Sequence, residues 1–182
     1  MSATFDAVRG RRSYSRVTLQ APSHAELLPL VAAAGRVADH AALRPWRLLE
    51  LRGTARERLG AAFVAASALT GPDADRLAAK PLRAPLLLAV VASRKPSDSV
   101  PDWEQDAAAA GVAHMLTLLL TDAGWGVMWR TGSHTRSAPV RAMHELVDGE
   151  ELLGWLYVGG QPQDCTPGKR LDIDAADFVR AL

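Results

Sequence analysis

The sequence predicts a domain that combines α-helices with β-strands, and three observations support this. Segments with apolar residues at helical spacing alternate along the chain with short apolar runs rich in strand-forming residues. Residues 85–93 (PLLLAVVAS) form a continuous apolar run, which is typical of a strand covered on both faces. The 182 residues contain no repeat, linker or low-complexity block, so we predict one domain over residues 1–182.

Two helix starts and a strand are predicted in the first third of the chain. Ser23 and Glu26 form a capping box, in which each side chain bonds the backbone of the other at a helix N-terminus. Thr54 and Glu57 repeat this spacing before another helical run. Residues 46–51 (WRLLEL), which lie between the two helices, predict a strand.

A long helix is predicted over residues 103–123. Asp102, with Gln105 three positions later, is expected to cap its start, and Gly124 is expected to end it. The remaining predicted elements are a helix at 5–8, strands at 126–130 and 152–160, a helix from 137 to about 147, and a short docked helix in the tail.

The long helix carries small residues on nearly every side, with the run AAAAG at 107–111. A helix that is apolar all round must be covered all round. Either the core of a single chain or a partner subunit could supply this cover, and periodicity does not distinguish the two.

Composition excludes several classes of protein. A net charge of +1 is too small for a general nucleic-acid binder. The single cysteine, Cys165, cannot form an internal disulfide or a cysteine-rich metal site. The N-terminal segment has no apolar core of signal-peptide length, and the apolar stretch at 107–120 is too short to span a bilayer. We therefore expect a cytoplasmic protein.

A basic loop near the N-terminus, RRSYSR at 11–16, is the first candidate site. Arginine donates two parallel hydrogen bonds to a phosphate, and serine hydroxyls add short donors. The loop is either a phosphate site or a solvated basic surface.

Two further clusters of residues each allow either a ligand-binding role or a purely structural role. Arg36 and His40 lie four residues apart, so they share a helix face at a pocket or simply sit at a helix C-terminus. The segment GWGVMWRTG at 124–132 places Trp129, Arg130 and Thr131 at the end of a strand. Its glycines either admit a planar ligand or only form turns.

No nucleophile elbow, P-loop, dinucleotide fingerprint or histidine–cysteine metal motif occurs in the sequence. A phosphate-binding loop and aromatic turns without an evident acid–base pair or metal site suggest that a bound cofactor performs the chemistry.

The motifs RRSYSR, ADHAALRPW, KPLRAP, PDWEQ, GWGVMWRTG and LGWLYVGGQP follow one another in the order and spacing found in the nitroreductase family. The chain resembles the short members of this family from residue 5 to about residue 162. The resemblance implies an α+β fold, a three-layer α-β-α sandwich with a mixed central sheet, in an intertwined homodimer.

The resemblance also implies the cofactor and its contacts. FMN is expected at the subunit interface, with NADH or NADPH as electron donor. The expected FMN contacts are Arg11, Arg12, Ser13, Arg36, His40, Trp129, Arg130 and Thr131, with Arg36 and His40 supplied by the other subunit. The nicotinamide nucleotide is expected at Leu119, Leu120, Thr121, Asp122, Ala123 and Gly124.

The implied reaction passes a hydride from NAD(P)H through flavin N5 to a nitro compound, a quinone or a related acceptor, by a ping-pong mechanism. An FMN-storage protein and a specialised relative, either a dehydrogenase or a flavin-destroying enzyme, are the alternatives. No metal is expected. Arg44 replaces a more usual amide residue of the family, so it is expected to bear on the choice of acceptor.

Overall fold

The computed structural model describes residues 2–164 and 172–182, so Cys165 lies outside the described residues. The helices are α1 (Ala3–Gly10), α2 (His24–Ala34), α3 (Thr54–Ala65), α4 (Gly71–Ala78), α5 (Asp102–Asp122) and α6 (Ala138–Met143). The strands are β1 (Trp46–Leu51), β2 (Leu86–Ser93), β3 (Trp125–Arg130) and β4 (Glu150–Gly160). Short 3-10 helices lie at His40–Ala42, Lys80–Arg83, Ser133–Arg136 and Ala175–Asp177.

The four strands form one sheet in the order β1-β2-β4-β3, and every neighbouring pair is antiparallel. The expectation of a mixed sheet is therefore wrong for the part of the chain that the structure describes. β2 and β3 run in the same direction, but β4 lies between them and pairs with both. The long crossover through α5 thus produces no parallel pair.

Helices cover both faces of the sheet, which confirms the predicted α+β sandwich. Successive side chains of a strand point to opposite faces. Along β2, Leu87, Ala89 and Val91 pack towards α3 and α6, in one apolar cluster. Leu86, Leu88 and Val90 pack towards α2 and α5, in a second cluster. The apolar run in the sequence is therefore a strand buried on both faces, as predicted.

A bulge in β4 interrupts the regular alternation next to the end of β3. Val90 pairs with Gly154 and Val91 pairs with Leu152, so Leu153 is the extra residue. Gly154 has a φ of +133°, and a Cβ there would lie 2.5 Å from the carbonyl oxygen of Arg130. Only glycine allows the two strands to approach this closely, and the bulge places Trp155 and Tyr157 on the α3 face.

The capping predictions had mixed outcomes. Ser23 and Glu26 form the complete capping box. Thr54 does not cap α3, because Gly53 occupies the N-cap position and makes no side-chain bond. Asp102 does not cap α5 either, since Pro101 precedes the helix. The Gln105 amide is instead buried, where it bonds the backbone of residues 95 and 100 and secures the loop after β2.

Two helices, α4 and α6, differ from the sequence prediction. No element was predicted at α4, whose Gly-Pro start is typical of a loop and which buries only Leu77. α6 ends at Met143, earlier than predicted, because Glu145 adopts a φ of +52° that no helix continues. The tail does not dock on its own chain, since Ile173 is 78% and Phe178 77% exposed.

None of the helices among the described residues is both long and apolar enough to cross a membrane.

An ion pair between Arg47 of β1 and Glu150 of β4 joins non-adjacent strands at one end of the sheet. Arg47 donates two hydrogen bonds of 2.6 Å to the Glu150 carboxylate. These bonds, with a further one from the Val147 N–H, lower the pKa of Glu150 from 4.5 to about 2. Because the pKa is lower in the folded state, the pair stabilises the fold above pH 4.5, and this stabilisation is lost as the pH falls towards 2.

We therefore expect Glu150→Gln to lower the free energy of unfolding by about 1.5–3 kcal/mol at neutral pH. The difference from the native protein should shrink as the pH falls from 4.5 and should be lost below pH 2, where native Glu150 is itself mostly protonated. Denaturant titrations at a series of pH values measure it. Glu57→Gln, at an exposed position of α3, is the control. A deficit that stays constant down to the lowest pH would contradict the assignment.

Candidate functional site

A cavity of about 470 Å³ lies on the α3 face of the sheet, beside the end of β3. β3 and β4 form its floor. The 3-10 helix Lys80–Arg83 forms one wall, and α3 with the turn after β3 forms the other. Its lining includes Phe63, Lys80, Arg83, Arg130, Trp155 and Tyr157.

Aromatic rings in contact with one another form one side of this cavity. The Phe63 ring stacks on His134 with centroids 4.9 Å apart, and meets Trp155 edge-on at 5.3 Å. The Trp155 indole N–H donates to Nε2 of His144 at 3.0 Å, and His144 Nδ1 bonds the Val140 carbonyl at 2.8 Å. Burial lowers the pKa of His144, so a neutral ring protonated on Nδ1 satisfies both bonds. The buried histidine thus fixes the orientation of the Trp155 indole.

The charge of the cavity is positive. Lys80, Arg83 and Arg130 line it, and no acidic side chain of the described residues does. Across residues 2–164 and 172–182, these three cations form no ion pair. The Arg130 guanidinium lies 5.2 Å above the centre of the Tyr157 ring. Burial raises the pKa of Tyr157 to about 12, so its phenol stays neutral and does not offset the positive charge.

Arg130 also has an unsatisfied donor. Its Nε is buried and has no hydrogen-bond partner among the described residues. A buried donor without a partner costs about 1–3 kcal/mol. A ligand with an acceptor or a negative charge would remove this cost, and the aromatic rings would cover a flat apolar surface of the same ligand.

The basic loop borders a second cavity, of about 490 Å³, that shares Arg83 and Arg130 with the first. Ser15, Arg16 and Val17 complete its lining. Backbone hydrogen bonds hold the loop against the sheet: residue 14 donates to residue 127 of β3, and residue 18 donates to residue 160 of β4. The structure therefore places Ser15 and Arg16 of the basic loop beside Arg130, whereas Arg11, Arg12 and Ser13 line neither cavity.

Gly126 of the third sequence cluster and Gly159 of β4 have a structural role. A Cβ on Gly126 would lie 3.0 Å from the Val17 side chain, and a Cβ on Gly159 would lie 2.6 Å from the Thr18 carbonyl oxygen. These glycines admit the basic loop to the sheet. Gly126 lies within β3 and therefore forms no turn, and Tyr14 and Val17 occupy the space beside it.

Trp129 and Thr131 flank Arg130 at the end of β3, and both line the first cavity. The Trp129 ring packs towards α5, where it meets the His114 ring edge-on with centroids 5.0 Å apart. The indole N–H of Trp129 is buried and has no partner among the residues that the structure describes. It is a second unsatisfied donor beside the site.

Arg36 and His40 lie elsewhere. His40 lines a separate cavity of about 660 Å³ between its own loop and α5, with no lining residue in common with the first two. His40 lies in the 3-10 helix His40–Ala42 that precedes β1, and β1 and β3 are the two opposite edges of the sheet. Three strand spacings separate these edges, about 14 Å. Within one chain, the two groups of expected FMN contacts are not brought together.

The predicted nicotinamide segment lies at the other end of β3, about 17 Å from Arg130 along the strand. Leu120 is completely buried in the core, and Leu119 packs against it. Thr121 donates its hydroxyl hydrogen to the carbonyl of residue 117 in its own helix. Ala123 and Gly124 line a further cavity of about 750 Å³. The structure therefore leaves Asp122, Ala123 and Gly124 as the accessible part of this segment.

Sequence reasoning missed Lys80, Arg83, Phe63 and Tyr157 as lining residues. Lys80 and Arg83 lie three positions apart in the motif KPLRAP, just before a buried strand, and that spacing was a usable signal. Phe63 and Tyr157 gave no such signal, because a core aromatic and a cavity aromatic look alike in sequence.

The fold is a three-layer α+β sandwich, and its first cavity combines aromatic rings with the cations Lys80, Arg83 and Arg130. The model of the nitroreductase family matches residues 8–160. A curated relative from Escherichia coli (strain K12), with the provisional name NAD(P)H nitroreductase YdjA, is 32% identical over 152 residues, which are 82% of this chain and 83% of the relative. The chain belongs to the nitroreductase family. This confirms the predicted family and the prediction of an enzyme, an oxidoreductase.

Solved structures agree on the fold. A nitroreductase-like family protein from Bacillus cereus superposes with a TM-score of 0.85 at 20% identity, covering 100% of this chain and 97% of the other. The FMN and NADPH-dependent nitroreductase NfnB from Sphigopyxis sp. strain HMH gives a TM-score of 0.75 at 20% identity, covering 100% and 99%. At these identities the likeness establishes the fold alone.

Proposed function

We propose that the protein is an FMN-dependent oxidoreductase that takes a hydride from NADH or NADPH and delivers it to a nitro compound, a quinone or a related acceptor. The observation that carries the proposal is the aromatic cavity in which Arg130 has an unsatisfied donor and no acidic neighbour. Family membership supports it, and so does the NAD(P)H nitroreductase name of the relative at 32% identity.

The residues present fit FMN. Arg11, Arg12 and Ser13 of the basic loop would hold the phosphate, because guanidinium and hydroxyl groups match its oxygens. Arg130 and Thr131, which line the first cavity, would meet the edge of the flavin ring. The unsatisfied Nε–H of Arg130 is a donor of the kind that a flavin carbonyl oxygen or ring nitrogen accepts from.

When bound, FMN would supply the chemistry of hydride transfer at N5. The chain's own residues would do the rest. The Arg130 cation would stabilise negative charge that develops at the ring edge, in a site where the surrounding apolar rings strengthen the attraction. Phe63, Trp155 and Tyr157 would exclude water from one side. If the nicotinamide nucleotide leaves the site before the nitro compound or quinone enters, the kinetics follow a ping-pong order.

The FMN site is completed by a second copy of the chain in this proposal. His40 and Arg36 line no part of the cavity that holds Arg130. A suitable surface for a second copy is present, because α1 buries none of its residues and leaves Phe5 and Val8 exposed. Trp103 of α5, 69% exposed, is a further exposed apolar side chain and lines the cavity of His40. A symmetric dimer would bury both helices and form two equivalent sites.

Steady-state kinetics test the proposed reaction. NADH or NADPH oxidation is followed with a nitroaromatic compound and with a quinone, each at several concentrations of the other substrate. Parallel double-reciprocal lines are expected for a ping-pong order. Absence of oxidation with either acceptor, in protein that binds FMN, would favour the storage alternative. Loss of the flavin itself during turnover would favour a flavin-destroying enzyme.

Binding specificity gives a second check. FMN is expected to bind more tightly than riboflavin, because the basic loop serves the phosphate. Arg12→Ala should weaken FMN binding by about 1.5–3 kcal/mol, the contribution of a hydrogen bond to a charged group, and should leave riboflavin binding nearly unchanged. Fluorescence titration of flavin-free protein measures both affinities. Equal affinities for the two flavins would contradict the assignment of the loop.

A further inference from the structure

A buried histidine that the proposed function does not use is bonded to the aromatic wall of the first cavity. His144 follows directly after α6 and is only 3% exposed. Its Nδ1 lies 2.8 Å from the Val140 carbonyl oxygen, and its Nε2 lies 3.0 Å from the indole Nε1 of Trp155. A carbonyl oxygen can only accept and an indole N–H can only donate, so the hydrogen is on Nδ1 and Nε2 accepts. Only the neutral ring satisfies both bonds.

Trp155 connects this histidine to the cavity. It lies opposite Arg130 where β3 pairs with β4, and residues opposite each other on antiparallel strands share one face of the sheet. Its indole meets the Phe63 ring edge-on at 5.3 Å, and Phe63 stacks on His134 at 4.9 Å. These four residues all line the first cavity, whereas His144 does not. The position of the indole therefore affects the wall that a ligand would touch.

A second proton on His144 is incompatible with this arrangement. Its Nε2–H would then face the indole N–H of Trp155 across 3.0 Å, with two donors and no acceptor between them. A buried donor without a partner is unfavourable. Nδ1 would keep its bond to the Val140 carbonyl, so the histidine would stay in place and the indole would move.

The surroundings of His144 favour its neutral form. Burial is the main cause that lowers the pKa of His144 below 6.5, the bond to the Val140 carbonyl raises it, and the Arg47 cation of β1 lowers it. Glu150 of β4 binds Arg47 and not the histidine, and Glu145 is exposed. Within the part of the chain that the structure describes, no carboxylate pairs with the histidine. Acid is therefore needed to add the second proton.

The other titratable groups on the elements packed around this histidine are balanced, neutral or separable. Arg136 and Arg141 lie 3.1 Å and 3.9 Å from the Glu151 carboxylate of β4, which offsets their charge. The residues that α3 contributes to the core cluster are apolar. Tyr157 of β4 stays neutral, because burial raises its pKa to about 12. His134 is a second histidine of the cavity wall, so its titration has to be separated from that of the buried histidine by experiment.

We propose that His144 is a positioning residue, whose neutral ring holds Trp155 where the first cavity can bind its ligand and whose doubly protonated ring releases the indole. The inference rests on the proposed function, in which the ligand of this cavity is FMN. It makes flavin binding depend on pH through a residue that does not line the cavity. Flavin binding and the second proton oppose each other, so in acid each bound flavin displaces one proton.

Nitrogen NMR of the flavin-free native protein tests the release directly. The indole N–H signal of Trp155, assigned by its absence in Trp155→Phe, should shift as the pH falls below 6.5. The midpoint of this shift should equal that of the His144 ring nitrogens. A Trp155 signal that stays constant while His144 takes up its second proton would overturn the proposal. So would a His144 ring that stays neutral until the protein unfolds.

FMN affinity at a series of pH values tests the consequence. His144→Gln has a neutral side chain whose carbonyl oxygen can accept the indole N–H at every pH. We expect native protein and variant to bind FMN equally well above pH 6.5. Below the pKa of His144, the native affinity should fall relative to the variant by about tenfold per pH unit, the value for one displaced proton. The FMN phosphate titrates at about pH 6 with both proteins, so its effect cancels in the ratio.

Two further histidine variants assign the effect to one residue. His24→Gln is the matched control, because the His24 side chain is 73% exposed and pairs with Glu50 of β1. It should keep the native fall in affinity, and so should His134→Gln. A fall that is abolished in His134→Gln and retained in His144→Gln would contradict the assignment.

Trp155→Phe removes the indole N–H and should also abolish the fall, so the proposal stays testable if His144→Gln does not fold. Circular dichroism at each pH confirms that each protein is folded. Native protein that binds no FMN above pH 6.5 would contradict the proposed function itself. Binding whose pH dependence is the same in native protein and in His144→Gln would contradict only the role of His144, so the two failures are distinguishable.

Discussion

Arg130→Ala is expected to weaken FMN binding by about 1.5–3 kcal/mol, which corresponds to a loss of roughly 10- to 150-fold. The native side chain brings a positive charge and a buried Nε donor without a partner to the cavity. Alanine removes both. The effect should persist at high salt, because the guanidinium is partly buried over Tyr157 and is poorly screened.

Isothermal titration of flavin-free protein with FMN measures this loss. Arg130→Lys keeps the charge but not the planar fork and should give an intermediate affinity. Arg76→Ala is the control, since Arg76 is exposed and pairs with Asp73 in its own helix α4. An affinity for FMN in Arg130→Ala equal to that of the native protein would mean that the ligand of this cavity is not the flavin.

Mixing two inactive variants should restore activity if the site is shared between subunits. Arg130→Ala damages the cavity at the β3 edge, and His40→Ala damages the loop before β1. When the two chains are unfolded and refolded together in equal amounts, half of the dimers are mixed. Each mixed dimer has one doubly damaged site and one intact site, so roughly a quarter of the native activity should return.

The comparison requires that each variant alone is folded and strongly impaired, which circular dichroism and single-variant rates establish first. If Arg130 and His40 serve the same site from one chain, every site in the mixture carries a lesion. No recovery would then be seen, and the shared-site account would be refuted.

Local sequence patterns predicted most of the fold because they have local physical causes. The strand at 46–51 was predicted with its observed limits, since alternation and flanking turns mark it. Ser23 capped its helix as expected because the capping box is a contact between near neighbours. Gln105 had the right spacing for a cap but was buried instead, because tertiary contacts with residues 95 and 100 outweigh a local preference.

The candidate site was less predictable, because long-range packing forms it. The basic loop, Arg130 and Thr131 belong to separate motifs, and only the sheet shows that they adjoin. The order of the nitroreductase motifs along the sequence identified these residues as candidates, but it did not show that they are neighbours in space. The local pattern around Lys80 does not show that this residue lines a cavity, and the Glu104–His40 bond is not predictable from local sequence because 64 residues separate the partners.

The central claim is that this cavity holds FMN in a form that accepts a hydride from a nicotinamide nucleotide. The visible absorption of FMN-loaded protein, recorded without oxygen before and after addition of NADH or NADPH, tests it most directly. The account predicts that the oxidised flavin band disappears with one of the two donors and returns when a nitroaromatic compound or a quinone is added. A flavin band that neither donor bleaches, in protein shown to hold FMN, would contradict it.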